Sequence, residues 1–91
     1  MTSLSGKHRK TLASIFHFPV RSDVRWTDID RLREALGAES SEGRGSRIRI
    51  HLNGVRAVFH RPHPRKETDK GALRSMRRFL SNAGVAPEDG E

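Results

Sequence analysis

The sequence predicts an α+β fold, a three-stranded antiparallel sheet with two helices packed on one face in the order α-β-β-β-α, preceded by an N-terminal helical extension. Three observations predict it. Ser46–Leu52 alternates apolar with polar residues and is followed by Asn53-Gly54 and a return strand, the strongest short signal for a hairpin. Two stretches with helical apolar spacing flank that hairpin, one on each side. The chain has 91 residues, enough for one small core and no second one.

Residues 1–25 read as a basic extension. Leu12, Ile15 and Phe16 stand at i, i+3 and i+4, the spacing of one helix face, within a helix between Ser5 and Phe16. That helix either docks on an edge of the core or serves as a basic arm on nucleic acid through Lys7, His8, Arg9 and Lys10. Phe18-Pro19 ends it, because a residue before proline is pushed out of the α region. The main domain is expected over residues 26–85. Thr27 reads as an N-cap with Asp30 three residues on, a capping box with a shorter acid. Asp28 and Asp30 also suit the positive end of the helix dipole. Ile29, Leu32, Ala35 and Leu36 form the apolar stripe and Gly37 the stop, so the helix is expected over Asp28–Leu36 with Trp26 packed on its start.

Residues Ala38–Glu42 suit a short edge strand, and Gly43-Arg44-Gly45-Ser46 a loop. Strands Ser46–Leu52 and Val55–His60 then pair around a two-residue turn. The turn fixes the register. Leu52 faces Val55, Ile50 faces Ala57 and Ile48 faces Phe59 on the apolar side. On the polar side His51 faces Arg56, Arg49 faces Val58 and Arg47 faces His60. Arg61-Pro62-His63-Pro64 cannot continue a ladder and reads as a rigid exit loop. Asp69 or Thr68 caps a last helix over Lys70–Ala83, with Leu73, Met76, Leu80 and Ala83 on its stripe and Phe79 at the stripe's edge. Gly84 and Pro87 end it, and residues 86–91 are expected to form a frayed acidic tail. The expected core is Ile29, Leu32, Leu36, Ile48, Ile50, Phe59, Leu73, Met76 and Leu80.

Charge points to the partner. Lys and Arg number 18 against 11 Asp and Glu, giving a formal net charge of +7, which favours a polyanion and above all nucleic acid. From Gly43 to Lys66 there is no acidic residue. That stretch carries Arg44, Arg47, Arg49, Arg56, Arg61, Arg65 and Lys66. With Lys70 and Arg74 on the following helix, these are the candidate RNA-binding residues. The plain alternative is a solvated charged face. Uncompensated cations repel one another, however, and several phosphates would neutralise them. The aromatic set is small (Phe16, Phe18, Trp26, Phe59 and Phe79), and the core needs most of it, so base readout by stacking is not expected. Absence of cysteine excludes disulfides, thiolate zinc sites and a Cys nucleophile. No apolar run has membrane-spanning length and no apolar run follows the N-terminal cations, so a cytoplasmic protein is expected. His60-x-x-His63 lacks a carboxylate or Cys at ligand spacing, so no metal and no cofactor is expected. Among the histidines, His8 and His17 read as incidental and His51 as a solvated residue at the hairpin tip, which leaves His60 and His63 for chemistry.

Trp26–Val85 resembles the HicA family of bacterial toxins, small ribonucleases with a double-stranded-RNA-binding-like fold. Four stretches carry the resemblance: the first main helix running to Leu36-Gly37-Ala38; Gly45-Ser46 at the opening of the central strand; Pro62-His63 followed by Lys66-Glu67; and Lys70-Gly71-Ala72-Leu73-Arg74-Ser75 with Ala83-Gly84-Val85. The resemblance implies metal-independent cleavage of messenger RNA and silencing by a HicB-type antitoxin protein. One position departs from the pattern. The family's catalytic histidine follows Gly-Ser, where this chain has Arg47. Arginine cannot act as a general base, because it does not lose its proton in proteins. Since Arg47 and His60 face each other in the expected register, His60 is the candidate for the displaced imidazole. His63 is then the candidate second proton-transfer group, and Arg47 a donor to the scissile phosphate. Two alternatives stand beside this reading: a non-catalytic RNA-binding module of the same fold, and a basic adaptor for a protein partner.

Overall fold

A computed structural model describes residues 4–87. Its elements run α1 (Gly6–Ile15), α2 (Trp26–Ala35), β1 (Glu39–Glu42), β2 (Arg47–Leu52), β3 (Val55–His60) and α3 (Lys70–Asn82). The sheet is antiparallel in the order β1-β2-β3. This is the double-stranded-RNA-binding-like α+β arrangement. Of the acidic tail expected over residues 86–91, residues 88–91 lie outside the described residues.

The hairpin forms as its residues dictate. Asn53 and Gly54 both take positive φ, 51° and 82°, as a two-residue reversal with the strand twist requires. All six expected pairs of β2 and β3 are present, from Leu52–Val55 at the turn to Arg47–His60 at the far end. Ile48, Ile50, Leu52 and Phe59 are buried on one face. The turn is also tied to α3. Asn53 donates its side-chain amide to the Ala83 carbonyl at 2.8 Å, satisfying one of the acceptors that a helix C-terminus leaves open.

α3 starts at Asp69, whose carboxylate accepts from the Ala72 amide at 2.7 Å. Asp69 and not Thr68 takes the capping role, since Thr68 is buried in the core. Phe79 is fully part of the buried stripe with Leu73, Met76 and Leu80. Its ring stands 6.0 Å from that of Phe59, and Phe59 stands 6.2 Å from Trp26, so three of the five aromatics form one cluster.

α2 departs from expectation at its start. The helix begins at Trp26, and its N-cap is Arg25, which makes no side-chain capping bond. Thr27 and Asp30 therefore form no capping box. The cause is tertiary. Arg25 forms a β-bridge with Glu67, Trp26 donates its backbone amide to the Lys66 carbonyl, and Thr68 donates its own to Val24. This short cross-link sets the chain direction, and the helix starts where the cross-link releases it. Trp26 is consequently a buried residue of the first turn. Leu36, expected in the core, is only partly buried, because it is the C-cap residue where the chain turns toward the surface.

α1 belongs to the same core. Leu12 and Ile15 are 3% and 0% exposed, buried in one cluster with Ile29, Leu73 and the sheet. Arg77 of α3 donates to the carbonyls of Ile15 and His17, at 3.3 and 3.0 Å, and so closes the C-terminal end of α1 from the other side of the molecule. Docking is thus the reading of α1 that the structure bears out, with Lys7, Arg9 and Lys10 exposed on its outer side.

Truncation of Ile50 or Leu80 to Ala is expected to destabilise the protein by about 2–5 kcal/mol, as deletion of a buried aliphatic group does in a small core. Ile15→Ala should fall in the same range, about 2–5 kcal/mol, although it lies in the extension. Urea unfolding of the three variants checks this. An unchanged midpoint for Ile15→Ala would place α1 outside the cooperative unit.

Candidate nucleic-acid interface and active site

The helices cover one face of the sheet and leave the other open. Because side chains alternate along a strand, Arg47, Arg49 and His51 of β2 share the open face with Arg56, Val58 and His60 of β3. Glu39 and Ser41 of β1 join them through their pairing with His51 and Arg49. All of these are exposed except His51, which is half-buried. An open depression of about 470 Å³ lies over this face, lined by Ser41, Arg49, His51, Arg56 and Val58 among others. Val58 is 55% exposed in the middle of it, an aliphatic patch between cations.

Arg47 and His60 are Cα partners at the end of the ladder farthest from the turn. They form a non-hydrogen-bonded pair, the kind in which the two side chains approach most closely. The Arg61 amide donates to the Ser46 carbonyl at 2.9 Å just beyond them. Gly43 is a residue whose part was not legible from its neighbours. A Cβ there would meet the Arg47 Cβ at 3.1 Å, and the Gly43 amide donates to the Arg47 carbonyl at 2.9 Å. Glycine lets β1 pass this close to the root of the Arg47 side chain.

The structure brings Arg47, Arg49 and Arg56 together with His60 on the open face. Arg44 lies in the loop that leads into it, and His63, Arg65 and Lys66 in the exit loop, all of them exposed. Lys70 and Arg74 are exposed on α3, in the helical layer, and not on the open face. Among the described residues, none of the cations named in this paragraph has a carboxylate within 4.0 Å.

Arg61 departs from the expectation of an uncompensated cation. Its guanidinium makes a two-pronged bond with Glu42, at 2.8 and 2.7 Å. Glu42 precedes the acid-free stretch in sequence, but β1 pairs with β2 and carries it back to the end of β3. The bond holds the exit of β3 to β1 across the central strand. Those hydrogen bonds, aided by the charge of Arg61, hold the Glu42 carboxyl below its ordinary value. A second carboxylate, Glu39, stands 3.6 Å from the His51 ring. Among the described residues no three His, Asp or Glu side chains gather as a metal-ligand set.

The family model for the HicA toxin of bacterial toxin–antitoxin pairs matches residues 26–85, about two-thirds of the chain. The chain belongs to the HicA toxin family. No curated protein and no solved structure matches it. It is therefore the toxin of a toxin–antitoxin system, and membership of that family implies an antitoxin partner. The match begins at Trp26, the first residue of α2, so α1 lies outside the family region while contributing to the core. No helix among the described residues is long and apolar enough to cross a membrane.

The Glu42–Arg61 pair should give stability a distinct pH dependence. A carboxylate whose folded pKa is depressed contributes stability above its unfolded pKa and loses it as pH falls through the folded value. Parent and Glu42→Gln are therefore expected to differ in urea midpoint near neutral pH and to converge as pH falls from about 6 to about 3. The pair is exposed, so the difference should be small and weaken with salt. Parallel curves over that range would mean that the pair contributes nothing.

Proposed function

We propose that this toxin is a metal-independent endoribonuclease acting on messenger RNA in the cytoplasm, with its chemistry on the open face of the sheet. The observation that carries the reading is the opposed pair of Arg47 and His60 beside the unpaired cations Arg49 and Arg56. RNA cleavage of this kind needs a base, an acid and positive charge at phosphorus. The base takes the proton from the 2′-OH, whose oxygen attacks the adjacent phosphorus. The bond from phosphorus to the 5′-oxygen breaks, and the acid protonates that oxygen as it leaves. The products are a 2′,3′-cyclic phosphate and a 5′-OH.

Each group has a role in this scheme. His60 acts as the base, replacing the imidazole that the family pattern puts at the position of Arg47. Arg47 keeps the phosphate in place with its fork of N–H donors and offsets the charge that builds up there. His63 is the candidate acid, between Pro62 and Pro64 in the exit loop. Arg49 and Arg56 extend the binding track along the sheet, with Arg44, Arg65 and Lys66 at its end. Arg61 supports the track through its bond with Glu42 and leaves the phosphates to its neighbours. Lys70 and Arg74 add positive charge from α3.

Arg47 also favours a second reading. A histidine replaced by a residue that cannot exchange a proton is what a binding-only relative would carry. In that case the same face holds RNA and no bond is cut.

Labelled RNA incubated with purified protein in EDTA separates the two. Cleavage with cyclic phosphate ends is expected, and His60→Ala or His63→Ala should lower the rate by about 10²-fold or more with folding intact. Arg47→Ala should weaken RNA binding as well as turnover, while Arg47→His should retain or raise activity. Parental rates in both histidine variants would rule out the relocated mechanism. A parent that binds and never cleaves, with or without metal, would establish the binding module.

The antitoxin is proposed to be acidic and of the HicB type, and to silence the toxin by occupying its positive face. Co-purification with the product of the adjacent reading frame should yield a complex whose association slows as salt rises. No complex at low salt would overturn this partner.

A further inference from the structure

β3 has an open outer edge. Leu52 and Val55 flank the two-residue turn as a hydrogen-bonded pair, and the phase alternates from there. Ile50–Ala57 and Ile48–Phe59 are bonded pairs as well. Arg56, Val58 and His60 therefore direct their backbone amides and carbonyls away from β2. The bond from the Arg61 amide to Ser46 continues the same phase. Among the described residues no strand lies on that side, since β3 ends the sheet. The result is a row of three donors and three acceptors at strand spacing.

The two edges of the sheet differ in kind. β1 is four residues long and carries Glu39 and Glu42, and short, charged edges resist pairing. β3 is six residues long and carries no acid. Its outward residues are the cation Arg56, the exposed Val58 and His60. Alongside it, between β3 and α3, runs a groove of about 250 Å³ whose lining includes the apolar Ala57, Phe59 and Phe79 and the polar Arg78 and Asn82.

We propose that the outer edge of β3 is a strand-addition site for an extended segment of the antitoxin, one whose side chains alternate between acidic and apolar. This rests on the toxin–antitoxin reading above. The alternation follows from the pleat. Residues of the added strand on the open side of the sheet come beside Arg56, Val58 and His60, where carboxylates are favoured. The residues between them turn to the helical side and enter the groove against Ala57 and Phe79, with Arg78 at its rim. A second copy of the chain does not fit. Antiparallel pairing about Val58 would set Arg56 against His60 and bring together two chains of net charge +7. RNA has no alternating row of amide donors and acceptors to match the edge. Strand addition also accounts for silencing, because it brings carboxylates beside His60 and Arg56, where they exclude phosphates.

The test uses the full chain in complex with the product of the adjacent reading frame, followed by amide hydrogen exchange. Slowed exchange is expected at Arg56, Val58 and His60, whose amides face solvent in the free protein. Val58→Pro removes one outward donor without breaking a bond to β2, and should weaken the complex by about tenfold or more. Ser40→Pro, at the outward position of the β1 edge, should leave affinity unchanged. Should Val58→Pro melt below the parent, exchange of the Arg56, Val58 and His60 amides in the parent complex decides by itself. A complex that forms while those amides exchange as in the free chain overturns the site and leaves the antitoxin reading standing. Absence of any complex overturns both. Protection of these amides by RNA and not by the antitoxin would also overturn the proposal.

Discussion

The reversal at Asn53-Gly54 is the constraint on which the other features depend. Two residues with positive φ leave the flanking strands one register, and that register sorts every side chain of β2 and β3 onto a face. Ile48, Ile50 and Phe59 go to the helices, and Arg47, Arg49, Arg56 and His60 to solvent. A slip of one residue would bury the arginines and expose the isoleucines. The same turn is bolted to the helical layer by the Asn53–Ala83 bond, so sheet and α3 are held in phase at one end. At the other end the Glu42–Arg61 pair performs the corresponding task. Between these two fasteners lies the row of polar residues on which the proposed chemistry runs.

Electrostatics and topology cooperate on that row. A stretch of chain without acids is by itself only a local excess of charge. Folding it into a hairpin places alternate residues on one surface, which concentrates the cations there while their apolar neighbours stabilise the core. The acids that come near it do so by strand pairing. Glu42 pairs with Arg61 and Glu39 approaches His51, so among the described residues Arg47, Arg49 and Arg56 are the cations of the open face without a carboxylate within 4.0 Å. Positive charge that is not internally satisfied attracts either a nucleic acid or an acidic protein, and the proposed control by occupation rests on competition between the two.

Local information was legible and long-range information was not. Strand alternation and the Asn53-Gly54 turn depend on a few neighbouring residues and stand as read, while the cap left open between Asp69 and Thr68 falls to Asp69. The opposition of Arg47 and His60 was legible for the same reason, since counting from the turn is enough to find it. The start of α2 was not, because the β-bridge between Arg25 and Glu67 overrides the capping signal of Thr27 and Asp30. The partner of Arg61 was hidden too, nineteen positions back and brought near only by the register of β1. The part played by Gly43 emerges only once β1 is set against Arg47. The chemical roles of His60 and His63 are a matter for kinetics, since register brings groups together without assigning them work.

The joint between α1 and α3 has a consequence for how the molecule comes into being. Leu12 and Ile15 are synthesised well before Leu73, which shares their core, and Arg77, which donates to the Ile15 carbonyl. Translation proceeds from the N-terminus, and a nascent chain that ends before α3 has its earliest helix waiting with nothing to close over it. Phe59 likewise has Trp26 beside it but lacks its second aromatic neighbour until Phe79 arrives. Burial of both therefore waits for the same thirteen-residue segment, Lys70–Asn82. A chain assembled in this order cannot complete its core until that segment has emerged and folded.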